Sequence, residues 1–120
     1  MKDKKHMLEI LELVFQRVAE DAEKNIPEEG KFQRIICACN FMQERQEAFL
    51  SVLRTSNSNN VCLVTLNMHR PLSDKIFTHY MFEGSKAEAI NWLKDEKNIE
   101  KAYNQLTELA KKMENHYSEY

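Results

Sequence analysis

The hydrophobic pattern of this chain changes period twice, and that change restricts the fold more than any other feature. Apolar residues recur at three- and four-residue steps near both ends, the mark of helices, and at every second residue through the middle, the mark of strands. From 7 to 22, Met7, Leu8, Leu11, Val14, Phe15, Val18 and Ala22 fall on one stripe, with Glu9, Glu12, Arg17, Glu20 and Asp21 around the rest. Ile10 and Leu13 widen that stripe, so this helix is expected to touch more than one neighbour. Pro27 and Gly30 then end it and turn the chain.

Strand spacing begins at Lys31. Ile35, Cys37, Cys39 and Phe41 share one face, while Arg34, Ile36, Ala38 and Asn40 share the other. Between 60 and 68, Cys62, Val64, Leu66 and Met68 alternate with Val61, Leu63, Thr65 and Asn67. Between Lys75 and Glu83, Ile76, Thr78, Tyr80 and Phe82 alternate with Phe77, His79 and Met81. Residues 46 to 55 read either as a strand or as a helix with Arg45, Ala48, Phe49, Val52 and Leu53 on one stripe. The polar link Thr55 to Asn60 decides for the strand, because Ser and Asn tolerate the turn of a hairpin.

Helical spacing returns after Gly84. Ser85 and Glu88 stand at capping-box separation, and Ala89, Ile90 and Leu93 form a buried side. A polar break from Asp95 to Asn98 precedes a last helix with Ile99, Ala102, Tyr103, Leu106, Leu109, Ala110, Met113 and Tyr117 on one face. The expected fold is α+β: one domain spanning 1–120, with an N-terminal helix, a four-stranded antiparallel meander and two C-terminal helices packed on the sheet.

Composition supports a folded domain and excludes several functions. Apolar residues make up 42% of the 120, enough for a core without disulfides or metal. Seventeen basic against nineteen acidic side chains leave no surplus for neutralising phosphates, so no nucleic-acid partner is expected. No apolar run approaches the roughly 18 residues of a membrane span. No secretory signal is expected, because the apolar residues of the first helix are spaced along a face rather than run together. Three cysteines, an odd number, fit reduced thiols, so a cytoplasmic location is expected.

The candidates for chemistry reduce to structure under inspection. Cys37, Cys39 and Cys62, with His69 or His79, could supply soft-metal ligands, but each cysteine shares its face with apolar neighbours and is read as a small core residue. A cysteine–histidine nucleophile needs an exposed thiol in a polar cleft, which these positions do not offer. Two glycines in the whole chain leave no phosphate-cradling loop. No cofactor, metal or catalytic residue is expected.

The second face of the sheet carries the remaining signal. If the helices cover Ile35, Cys37, Cys39 and Phe41, the opposite face is expected to present Ile36, Ala38, Phe49, Leu53, Phe77 and Met81, with His79 among them. Such a face is more apolar than water tolerates on a monomer. The chain is therefore read as a non-catalytic protein–protein interaction module, homodimeric, with Phe49, Leu53, Phe77, His79 and Met81 at its interface. The alternative is a small-molecule or metal binder, or a minor enzyme, with a pocket between sheet and helices near His69, Arg70, His79, Tyr80 and Trp92.

Overall fold

The computed structural model describes residues 3–27, 35–43, 45–54, 61–71, 73 and 75–118. Gly30, the stretch 31–34 at the start of the first strand pattern and the link 55–60 lie outside the described residues. Among the described residues the order is α1 (Lys4–Asn25), β1 (Ile36–Gln43), β2 (Gln46–Arg54), β3 (Cys62–His69), β4 (Phe77–Gly84), α2 (Lys86–Lys94) and α3 (Lys97–Ser118). The strands form one antiparallel sheet in the order β1-β2-β3-β4. The α+β layout read from the periodicity is therefore the observed one, and residues 46–54 are a strand.

α1 starts three residues before its apolar stripe because Asp3 caps it, accepting the His6 backbone N–H at 2.8 Å. Met7, Leu11, Val14, Phe15, Val18, Ala19 and Ala22 are buried along its inner side. Ile10 is partly buried, whereas Leu13 is 66% exposed. α2 begins with the expected capping box: Ser85 Oγ accepts the Glu88 N–H at 3.1 Å, and the Ser85 N–H donates to Glu88 Oε1 at 3.0 Å. The Ser85 backbone N–H on the carboxylate, and after it the Ser85 hydroxyl, favour the ionised form and hold the Glu88 carboxyl below its ordinary pKa. The polar break is a corner rather than a linker. Asn98 Nδ2 donates to the Trp92 carbonyl at 2.8 Å, and Asp95 Oδ1 accepts the Lys97 N–H at 3.1 Å.

The helices share one side of the sheet. α1 lies over β1 and β2, α3 over β3 and β4, and α2 over the ends of β3 and β4. The layer between them holds Ala48, Leu50 and Val52 of β2 and Cys62, Val64, Leu66 and Met68 of β3, all buried. Each leucine there contributes about 1.5–3 kcal/mol by leaving water. Trp92 stacks between Phe15, 5.8 Å away, and Phe82, 6.0 Å away, and so joins α1, α2 and β4. Gly84 permits this closure, because a Cβ there would meet the Phe82 ring at 2.8 Å.

The faces of β4 correct the sequence reading. Phe77 pairs with Met68 and His79 with Leu66, both of which face the helices. Phe77 and His79 therefore point toward α3, not toward the open face expected for them. A β-bulge opposite Val64 and Thr65 sets Tyr80 against Thr65 and Phe82 against Val64, which makes Met81 the extra residue. Met81 and Phe82 pack against the core, and Tyr80 is left on the opposite side, 66% exposed. The physical reason is that alternation shows which residues of a strand share a face, while only the register against the neighbour shows which face is buried.

Candidate functional site: the open face of the sheet

With the helices gathered on one side, β1 sends Ile36, Ala38, Asn40 and Met42 to the other, and β2 sends Glu47, Phe49, Ser51 and Leu53. Leu63, Thr65, Asn67 and His69 of β3 and Thr78, Tyr80 and Glu83 of β4 complete this open face. Among the described residues no segment lies over it.

Its centre is polar and tightly bonded. Ser51 Oγ and Thr65 Oγ1 are 2.6 Å apart, and Asn67 Nδ2 donates to Thr65 Oγ1 at 3.0 Å. Thr78 Oγ1 donates to Asn67 Oδ1 at 2.8 Å, so the chain of bonds crosses β2, β3 and β4. Ser51 and Thr65 are each only 6% exposed, shielded by the taller side chains around them. At one end Glu47 accepts from Asn40 Nδ2 at 3.1 Å and faces His69 Nε2 at 3.2 Å. His69 Nδ1 lies 3.1 Å from the Arg70 carbonyl, and the imidazole meets the Phe49 ring edge-on at 6.2 Å. Around the polar centre stand Ile36, Met42 and Tyr80, exposed, with Phe49, Leu53 and Leu63 partly exposed.

Of the interface residues expected from sequence, Phe49 and Leu53 lie on this face. Phe77, His79 and Met81 lie on the helix side: Phe77 meets the His116 ring at 5.8 Å, and His79 and Met81 line a groove beside α3. That groove, of about 640 Å³, also contains Trp92, Lys101, Tyr103 and Glu108. The residues expected around one ligand pocket are thus divided. His79 and Trp92 share the groove, His69 and Tyr80 are on the open face, and Arg70 follows the end of β3. The Ser51–Thr65–Asn67–Thr78 ladder escaped the sequence reading; its only trace there was polar residues alternating with apolar ones on β2 and β3.

The cysteines are free thiols. Cys37 and Cys62 are buried, and Cys39 is half-buried in a groove with Ile10, Leu13 and Phe41. Burial pushes the Cys37 thiol above the ordinary pKa range, with the Asp21 charge adding to the rise. Burial raises Cys62 likewise, against the opposing charges of Arg54 and Lys86. Neither is an activated nucleophile. Among the described residues no three His, Cys, Asp or Glu side chains are grouped to hold a metal, and no helix is long and apolar enough to cross a membrane. Comparison with protein-family models, curated proteins and solved structures finds no match to this chain.

Proposed function

We propose that this protein is a non-catalytic protein–protein interaction module that works as a homodimer. The observation that carries the reading is the uncovered side of the sheet, where Ile36, Met42 and Tyr80 stand exposed around a rigid hydrogen-bonded centre. Apolar side chains grouped on a fixed platform are characteristic of a docking surface. The raised thiols of Cys37 and Cys62 weigh against nucleophilic chemistry. Three free thiols are preserved in a reducing compartment, so the reading includes a cytoplasmic location. Sedimentation equilibrium tests it. A dimer is expected at micromolar concentration, and a strict monomer up to about 1 mM, an affinity too weak for a working interface, refutes the homodimer.

A second reading, a small-molecule binder, draws on the groove of His79, Met81, Trp92, Lys101 and Tyr103, whose mixed polar and aromatic lining suits a ligand. A thermal-shift screen with metabolites and metal ions separates the two. A ligand-specific rise abolished by Trp92→Ala favours the binder, and a flat screen favours the interaction module.

A further inference from the structure

The two edges of the sheet differ, and the difference identifies how two copies meet. In an antiparallel pair, residues that exchange backbone hydrogen bonds with the neighbouring strand alternate with residues whose N–H and C=O point away from it. The Arg54 N–H donates to the Ile35 carbonyl at 3.0 Å, and the register sets Ile36 against Leu53. Counting from that bond, Cys37, Cys39 and Phe41 direct their backbone groups to β2. Ile36, Ala38, Asn40 and Met42 direct theirs outward, where none meets a partner among the described residues.

This free edge lacks the usual protections against pairing. Its sequence, ICACNFMQ, holds no charge and no proline, and it pairs with β2 over its whole length without a bulge. The opposite edge, β4, carries the bulge at Met81 and Glu83 near its end, and is flanked by the α3 groove. Beside the β1 edge runs a flank of α1 on which Leu13 stands exposed over Cys39 and Phe41, with Arg17 and Glu20 next to it.

We propose that β1 pairs antiparallel with β1 of a second copy, joining the two sheets into one continuous eight-stranded sheet. This inference rests on the homodimer part of the reading above, but it places the contact between copies at the β1 edge. It leaves the open face, the docking surface of that reading, to a different protein partner. Register arithmetic singles out the geometry. A two-fold axis must join outward-bonding residues to one another. The alignment that uses all four sets Ile36 opposite the partner's Met42 and Ala38 opposite the partner's Asn40. That alignment forms about eight backbone hydrogen bonds, within the number typical of a stable interface. A shift of two residues leaves one outward residue of each copy beyond the overlap. The grooves holding Leu13 then meet across the axis, and each copy brings one cation, Arg17, and one anion, Glu20, so neither sign accumulates there. The open faces of both copies remain on the same side, side by side and available to a partner.

The same alignment puts Cys39 on the axis, opposite the partner's Cys39. Non-hydrogen-bonded pairs hold their Cα atoms about 4.5 Å apart, inside the range a disulfide spans. Diamide oxidises two thiols to a disulfide and takes both hydrogens onto its N=N bond. It is expected to cross-link the wild-type dimer through Cys39, with the cross-link lost in Cys39→Ser and kept in Cys37→Ser. Asn40→Pro removes an outward N–H and leaves pairing with β2 intact, so a folded variant with a dimer affinity on the order of 100-fold weaker is expected. Leu63→Lys, on the open face, is expected to leave the dimer unchanged. A dimer that survives Asn40→Pro and is not trapped through Cys39 overturns edge pairing while the homodimer stands. A strict wild-type monomer overturns both. Should Asn40→Pro fail to fold, the wild-type cross-link decides alone, and its absence overturns the proposal.

Discussion

Replacing Thr65 by valine keeps the branched shape and removes one hydroxyl from the centre of the open face. That hydroxyl is 2.6 Å from Ser51 Oγ and accepts from Asn67 Nδ2 at 3.0 Å, at a site only 6% exposed. Losing two such bonds costs about 1–3 kcal/mol. The added methyl returns up to about 0.8 kcal/mol, for a net loss of about 1–2 kcal/mol, or about 4–8 °C in Tm. Urea denaturation of wild type, Thr65→Val, Ser51→Ala and the double variant, at one protein concentration, gives the full cycle. The two single losses both count the Ser51–Thr65 bond, so the double variant is expected to lose about 1 kcal/mol less than their sum. Losses that add to within about 0.3 kcal/mol would show the hydroxyls acting independently and refute a coupled ladder.

Arg54 is 2% exposed, and its Nη1 donates to the Pro27 carbonyl just beyond the end of α1. Arg54→Met is expected to cost about 2 kcal/mol, in the range of a charge-assisted bond; an unchanged urea midpoint contradicts this. Cys37 and Cys62 hold their protons more tightly in the folded chain, because burial raises both thiols. The stability they contribute is therefore complete below about pH 8.5, the ordinary thiol value, and is lost as pH rises through the folded values. The urea midpoint is expected to fall above that pH, and to fall less in the Cys37→Ala, Cys62→Ala double variant. Equal slopes in both proteins contradict the assignment.

Local patterns were legible in the sequence, and relations between strands were not. The capping box of Ser85 and Glu88 follows from a three-residue spacing, and the stripe of α1 from a few turns, so both needed only neighbours in sequence. The cap at Asp3 lies outside the apolar stripe that marks the helix, among Lys2, Lys4 and Lys5, so the periodicity does not point to it. For β2 the alternation was ambiguous and the polar link chose correctly. β4 shows where such reasoning ends. Phe77, His79 and Met81 were recognised as sharing a side, but Met68 opposite Phe77 and the bulge at Met81 placed that side under α3. Phe49 and Leu53 were placed on the open face because the β1–β2 register needs no bulge. The hydroxyl ladder depends on the registers of β2, β3 and β4 at once, which no spacing within a single strand encodes.

Amide hydrogen exchange along β1, followed by NMR at concentrations above and below dimerisation, bears most directly on whether the module is completed by a second copy. Ile36, Ala38, Asn40 and Met42 are expected to exchange about as slowly as Cys37, Cys39 and Phe41 in concentrated protein, and to speed up selectively on dilution. Free exchange at these four amides at every concentration, with Cys37, Cys39 and Phe41 protected throughout, contradicts it.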